Sequence, residues 1–218
     1  PSYQIPYEYP AEVKMRSYQP SDKGHRGQIR RAVRTLIGAK RPVLYTGGGV
    51  VLDNASEHLI ALAKKLNYPV TNTLMGLGGY PGTDPQYLGM LGMHGTYEAN
   101  TAMHHADVIF AIGARFDDRV TGKLSTFAQN AKIIHADIDP AEIGKNRRAD
   151  VALIGDLRLT IEALIPALKS EFKKNQPDIS AWLEQAYGWR TRFPLGYDHP
   201  TDGSVSPQYV IERIGKMS

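Results

Sequence analysis

The stretch DVIFAIG, residues 107–113, is a continuous apolar run between an aspartate and a glycine. A run without alternating polar positions is typical of a parallel strand whose two faces are both covered. Helices have to supply that cover. The stretch therefore predicts an α/β protein in which residues 107–113 lie near the centre of the sheet.

Strand and helix patterns alternate on both sides of this run. We expect helices at 25–39, 54–66, 96–106 and from about 157, and strands in RPVLYTGGG (41–49) and at 69–74, 131–139 and 151–156. Such alternation arises when helices connect parallel strands. The sequence predicts a three-layer α/β/α fold with a roughly six-stranded parallel sheet of the Rossmann-like type.

Residues 1–20 and 170–218 do not follow this alternation. The first segment contains four prolines and no hydrophobic period, so we expect an extended linker. The second contains a charged stretch, a possible helix around Trp182, and a segment rich in proline and glycine before a last helix start. We therefore predict one domain at residues 21–169, with a linker to a missing domain on each side.

Composition excludes several classes of protein and of site. The chain has no cysteine, so it has no disulfide, thiolate metal site or thiol nucleophile. The formal charge of +4 is small and lies partly in the helix at 25–39, so a solvated helix face explains it better than nucleic-acid binding. No apolar run approaches the length of a membrane span. We expect a cytoplasmic protein with neither nucleic acid nor membrane as a partner.

In open parallel sheets, ligands bind beyond the carboxyl ends of the strands, so the loops after the strands are the candidate site. Three glycines, residues 47–49, follow the first strand; their bare backbone either approaches a phosphate or only forms a tight turn. The spacing is not G-x-G-x-x-G, and the second strand ends in Thr71-Asn72-Thr73 without an acid. Both departures argue against an ordinary nicotinamide dehydrogenase.

The later loops carry charged side chains with two possible interpretations. Arg115 and Arg119 are suited to a pyrophosphate, but with the neighbouring aspartates they would equally form a surface salt-bridge cluster. Asp139 precedes a proline and resembles the N-cap of a helix, whereas Asp137 caps nothing obvious. Asp137 is therefore the better candidate for binding a ligand.

The histidines do not indicate a metal site. His94, His104 and His105 have no histidine or carboxylate partner at a standard ligand spacing, so we predict no metal ligand in this chain. The G-x-S-x-G motif of serine hydrolases is absent too.

Several blocks in the same order resemble the central domain of the catalytic subunits of the acetohydroxyacid synthase (acetolactate synthase) family. They are RPVLYTGGG, TNTLMGLGGYPGTDPQYLGMLG, MLGMHGTYEAN, IGARFDDRVTG, HADIDPAEIGKN, LIGD and PQYVIERI. The resemblance implies a domain that binds FAD, with no net redox part for the flavin. The parent would use thiamine diphosphate and Mg²⁺ to join pyruvate to a second 2-ketoacid with loss of CO₂, in branched-chain amino-acid synthesis.

The resemblance also implies which residues contact FAD. Those near the phosphates and the flavin are Gly48, Gly49, Thr73, Leu74, Leu91, Gly92, Met93 and His94. Those that follow the cofactor chain to the adenosine are Gly113, Ala114, Arg115, Asp117, Arg119, Val120, Asp137, Ile138 and Asp156. Met93 and Arg119 would also face the substrate access channel. By the same resemblance, the glycines of MLGMHG would admit the flavin.

The thiamine site is what this sequence lacks. Its family motif begins G-D-G, but Gly155-Asp156 continues with Leu157. The resemblance therefore implies no catalytic residue here and a fragment that is inactive alone, between a thiamine-pyrimidine domain and a thiamine-diphosphate domain. It implies a parent that forms homodimers or homotetramers and binds a small regulatory subunit. The alternative is a flavin-free structural spacer of another thiamine-diphosphate enzyme.

Overall fold

The structure is a computed structural model that describes residues 6, 8–12, 23–173 and 177–217. Most of the linker predicted at 1–20 lies outside the described residues. The strands are β1 (Pro42–Thr46), β2 (Val70–Asn72), β3 (Tyr87–Met90), β4 (Val108–Ile112), β5 (Lys132–Asp137) and β6 (Val151–Ile154). The helices are α1 (Arg26–Ile37), α2 (Gly48–Leu52), α3 (Ser56–Leu66), α4 (Tyr97–His105), α5 (Asp118–Thr121), α6 (Leu157–Phe172), α7 (Ser180–Arg192) and α8 (Pro207–Met217).

All six strands form one parallel sheet in the order β3-β2-β1-β4-β5-β6. The central strand β4 pairs with β1 and β5, with Ile109 opposite Val43 and Ile133. Every residue of β4 is buried, as the unbroken apolar run requires. The predicted α/β/α fold with a six-stranded parallel sheet is confirmed.

The strand order reverses between β1 and β4. The chain moves from β1 outward to β3, then crosses back to place β4 on the other side of β1. Because connections between parallel strands are right-handed, the crossovers before and after this reversal lie on opposite faces. Helices α1, α3 and α6 pack together, and α4 packs with α7.

Several elements differ from the sequence-based expectations, and α5 is one that was not predicted. Strand β3 was not predicted, because it is a half-buried edge strand interrupted by Gly89, which adopts φ +88°. Helix α2 was not predicted either, because its first two residues are glycines. The segment after Asp139 forms turns instead of the expected helix, and Gly144 at φ +76° ends them.

Helix α7 packs on the domain, beyond the boundary predicted at residue 169. Trp182 is buried, and its indole N–H donates to the carbonyl of Pro42 at 2.9 Å. The Arg190 guanidinium pairs with the buried Glu98 carboxylate of α4 at 3.3 Å and also donates to the Tyr87 carbonyl. The limits of the domain within a longer protein stay a prediction.

Helix α8 buries none of its residues, and its apolar side chains, such as Ile211 and Ile214, are exposed. Within the described ranges, no helix has both the length and the apolar content needed to cross a membrane.

Candidate functional site

A groove of about 730 Å³ lies along the carboxyl edge of the sheet, across the point where the strand order reverses. Its volume is within the range of small-molecule and cofactor sites. Sixteen of the seventeen predicted site residues line it: Gly48, Gly49, Thr73, Leu74, Leu91, Gly92, Met93, His94, Gly113, Ala114, Arg115, Asp117, Arg119, Val120, Asp137 and Ile138.

The remaining predicted residue, Asp156, lines a smaller hollow of about 220 Å³. This hollow shares five residues with the groove, among them Asp137 and Ile138, so the two spaces are contiguous. The Asp156 carboxylate also caps α6, because it accepts a hydrogen bond from the Leu159 amide at 2.9 Å. It lies 3.6 Å from the Arg158 guanidinium.

Several lining residues were not among the seventeen predicted site residues. They are Gly47, Leu52, Met75, Met90, Asp139 and Glu142 in the groove, and Asp53 and Leu157 in the hollow. Gly47, Met75 and Asp139 lie one, three and two residues after the ends of β1, β2 and β5, and that position was the available signal. Leu52 is the last residue of α2 and Glu142 lies in the turn after β5, where no sequence pattern marks a ligand contact.

The glycines of the first turn face backbone of this same chain. A Cβ on Gly47 would overlap the carbonyl oxygen of Gly113, and one on Gly49 would lie 2.7 Å from the Gly113 Cα. The amides of Gly47 and Gly49 donate to the carbonyls of Ile112 and Gly113, both at 3.0 Å. The turns after β1 and β4 therefore lie directly against each other, which requires glycine whether or not a ligand binds.

The Gly48 amide differs from its two neighbours. It is the first N–H of α2, and no acceptor for it exists among the residues that the structure describes. Gly48 lines the groove, so this amide is available to a polar ligand atom. Of the two interpretations of the glycine run, the tight turn describes Gly47 and Gly49, and only Gly48 leaves an amide free for the ligand contact, which stays a prediction.

The glycines of MLGMHG also contact their own chain. Gly92 has φ +100°, and a Cβ there would lie 2.8 Å from the Arg119 carbonyl. A Cβ on Gly95 would overlap the Met90 carbonyl. The packing of the loop itself therefore requires glycine at both positions, and the expectation that these glycines admit a flavin stays a prediction. The loop is held by Asn100, whose side chain bonds both the amide and the carbonyl of Gly92.

The turn after β4 places cationic groups midway along the groove. Asp117 caps α5 through the amides of Arg119 and Val120. Arg115 lies 3.8 Å from the Asp117 carboxylate, and its side chain is 64% exposed, so the ion pair is weak. Among the described residues, this weak pair is the only ion pair in the surface cluster that the sequence suggested. Arg115 is therefore able to bind an anion.

The loop after the carboxyl end of β5 places carboxylates at one end of the groove. Asp137 accepts a hydrogen bond from the Asp139 amide at 2.9 Å, and Asp139 accepts one from Ala141 at 2.8 Å. Both aspartates therefore cap turns, which corrects the expectation that Asp137 caps nothing. Burial raises the pKa of the Asp137 carboxyl above its usual value, although the Asp139 amide and His135 oppose this shift.

Exposed apolar side chains form the rim of the groove. These residues are Leu52, Leu74, Met75, Met93 and Ile138, each at least 45% exposed. Large apolar groups exposed together around a concave site are typical of ligand-binding grooves. No group of three or more potential metal ligands occurs in the part of the chain described here.

Comparison with known proteins places this architecture in a family. A family model described as "Thiamine pyrophosphate enzyme, central domain" matches residues 29–164, which is more than half of the chain. The chain belongs to this family. All residues of the groove and the hollow lie within the match, so the site is part of the thiamine pyrophosphate enzyme central domain itself.

Individual relatives of this central domain carry more specific names. The chain is 46% identical over 218 residues to the acetolactate synthase large subunit of Haemophilus influenzae, and 46% identical over 220 residues to the acetolactate synthase isozyme 3 large subunit of Escherichia coli. It is 45% identical over 215 residues to an acetolactate synthase of Mycobacterium avium. These matches cover 100%, 100% and 99% of the chain, but only 38%, 38% and 35% of the relatives.

Proposed function

We propose that this chain is the FAD-binding central domain of an acetolactate synthase, which condenses pyruvate with a second 2-ketoacid with loss of CO₂ in valine, leucine and isoleucine biosynthesis. The observation that carries the proposal is the single groove that gathers sixteen of the seventeen predicted cofactor residues. The names of the relatives, which match the full length of the chain, support the reaction.

The chemistry of the groove fits a dinucleotide with two flat, largely apolar ends. The exposed rim residues Leu74, Met75 and Met93 offer apolar surface to the flavin. The Gly48 amide and the Arg115 guanidinium are suited to the pyrophosphate in the middle. The Asp137 carboxylate accepts hydrogen bonds from ribose hydroxyls.

This distribution of charge gives the cofactor a direction. The carboxylates Asp137, Asp139 and Glu142 lie at the β5 end, where an anionic pyrophosphate would be repelled and an adenosine ribose would be bound. Asp156 lies in the hollow beyond, beside the proposed adenine position. The flavin would then occupy the end between the loops that follow β2 and β3.

The rest of the reaction belongs to other domains in this proposal. The parent would bind thiamine diphosphate and Mg²⁺ in domains that flank residues 21–169, so this chain alone would have no acetolactate synthase activity. The parent would act in the cytoplasm as a homodimer or homotetramer with a small regulatory subunit. FAD supplies no net oxidation or reduction here, and the residues of this chain serve to hold and orient it.

Titration with FAD tests the proposal. The full-length parent protein is added to FAD and the flavin fluorescence is measured, for the wild type and for the Arg115→Ala and Asp137→Ala variants. We expect saturable binding, weakened about tenfold or more in each variant, because each loses a charged hydrogen bond. Arg148→Ala, outside the lining of the groove, is the matched control and should bind as the wild type does.

The result separates the two functions considered from the sequence. A full-length protein that purifies without flavin and binds none at high FAD concentration would be a flavin-free spacer enzyme, and the proposal would be wrong. Weak FAD binding by the 218-residue chain alone would not contradict the proposal, because neighbouring domains of the parent can supply walls of the site.

A further inference from the structure

Three consecutive carbonyl groups in the turn after β4 are each held by a side chain. The imidazole Nε2 of His135 lies 2.9 Å from the Ala114 oxygen. The Tyr45 hydroxyl donates to the Arg115 oxygen at 2.6 Å, and the Asn146 amide donates to the Phe116 oxygen at 2.7 Å.

The two inner donors are deeply buried. Tyr45 is 0% and His135 is 1% exposed, and neither lines the groove or the hollow. The Phe116 ring lies between them, with its centroid 5.4 Å from each of their rings. The turn that carries Arg115 therefore rests on an aromatic cluster through both its backbone and the Phe116 side chain.

The protonation of the two donors follows from their partners. A carbonyl oxygen only accepts, so His135 bonds Ala114 through a protonated Nε2, while its Nδ1 is buried without a partner in the described part of the chain. Burial lowers the pKa of the His135 imidazole, which favours the neutral ring, and burial raises that of the Tyr45 phenol. Both groups therefore act as neutral, fixed donors.

We infer that Tyr45 and His135 are positioning residues that set the place of the Arg115 guanidinium without contacting the ligand. The turn has no helical or strand hydrogen bonds of its own between Ala114 and Phe116, so these side chains replace them. The inference rests on the proposed function, because it assumes that Arg115 binds the pyrophosphate of FAD.

A pair of tyrosines provides the test. Tyr68 is equally buried, and its hydroxyl also donates to a backbone carbonyl, that of Leu36, away from the groove. In the full-length protein, Tyr45→Phe and Tyr68→Phe should each lower the melting temperature. Only Tyr45→Phe should raise the Kd for FAD, by about 5- to 10-fold, because only its carbonyl partner belongs to the Arg115 turn.

A double mutant separates positioning from general loss of stability. In an Arg115→Ala background, Tyr45→Phe should leave the Kd for FAD within about twofold while still lowering the melting temperature. His135→Gln, whose amide can donate from a similar position, should bind FAD more tightly than His135→Leu.

Two results would overturn the inference in distinguishable ways. If the wild type binds FAD and Arg115→Ala weakens binding, but Tyr45→Phe and Tyr68→Phe give equal Kd values, positioning is wrong and the proposed function stands. If the full-length wild type does not bind FAD, the proposed function itself is wrong and the inference falls with it.

Discussion

Asp137 is partly buried at the carboxyl end of β5, and this partial burial raises the pKa of its carboxyl group above the ordinary value of 3.8. The contribution of such an acid to folding is fully present below the unfolded pKa and is lost as pH rises through the folded pKa. At neutral pH, the ionised Asp137 therefore lowers the stability of the fold. A residue retained at this cost is a candidate for function.

The first prediction concerns Asp137→Asn, which keeps an oxygen for the Asp139 amide but removes the charge. We expect a higher melting temperature than the wild type at pH 7, and a difference that disappears below pH 3.8, where Asp137 is protonated in both folded and unfolded chains. Melting curves across pH measure it. A lower melting temperature at pH 7 would contradict the assigned cost of burial.

For single residues, the sequence indicated which side chains are candidates for the site but not which backbone groups they contact. Asp137 and Arg115 could be selected because polar residues at or shortly after the carboxyl ends of strands lie at the binding edge. The roles of Tyr45 and His135 could not, because their carbonyl partners are 70 and 21 residues away along the chain. A side chain that bonds a backbone carbonyl leaves no complementary side chain to recognise in the sequence.

The turns after β1 and β4 form a single packed unit, and the second prediction tests it. Gly47→Ala places a methyl group against the Gly113 carbonyl and the Ala114 backbone, which cannot move without shifting β4. We expect a loss of about 1–3 kcal/mol in the free energy of unfolding, measured with urea. Gly82→Ala, whose Cβ would meet only the Tyr87 ring at 4.0 Å, is the control and should change stability by less than about 0.5 kcal/mol.

Helix α7 supplies the third prediction. Trp182→Phe removes the hydrogen bond to Pro42 and leaves part of the indole space empty, so we expect the free energy of unfolding to fall by about 1–3 kcal/mol. Trp189→Phe is the comparison, because Trp189 is only partly buried and packs edge-on against Trp182. Equal losses in the two variants would mean that the Pro42 bond does not dock α7.

Helices and strands could be predicted from the sequence wherever their buried faces leave a pattern of apolar residues. Strand β4 is apolar throughout because both of its faces are covered, and α1 shows a helical stripe because only one of its faces is. Strand β3 lacks such a pattern, since it is short, half-buried and at the edge. The turn after Asp139 begins with helix-type capping but has no apolar stripe to continue it.

For the whole molecule, FAD binding should appear as increased thermal stability. A ligand that binds only the folded state at about 100 times its Kd adds roughly 2.7 kcal/mol to the free energy of unfolding. We expect FAD to raise the melting temperature of the full-length protein more than ADP or riboflavin does at equal ligand concentration, because each of these compounds fills only one part of the groove and binds more weakly. Equal shifts for ADP and FAD would contradict a flavin position along the β2 and β3 loops.

The groove is a property of the topology, which the sequence specified only in outline. Alternation of strands and helices predicted a parallel sheet, but the order β3-β2-β1-β4-β5-β6 depends on which side of β1 the chain returns to. That return brings the loops after β1 and β4 together. Sixteen predicted residues share one groove as a consequence, although they come from loops spread over residues 48–138.

The contact between Gly47, Gly49 and Gly113 limits how proteins with this domain can evolve. Backbone atoms touch backbone atoms there, so no exchange of side chains can widen the floor, and any larger residue would separate β1 from β4. Changes in the shape of the groove are therefore confined to its margin, where Leu52, Leu74 and Met75 are exposed and can be replaced without disturbing the sheet.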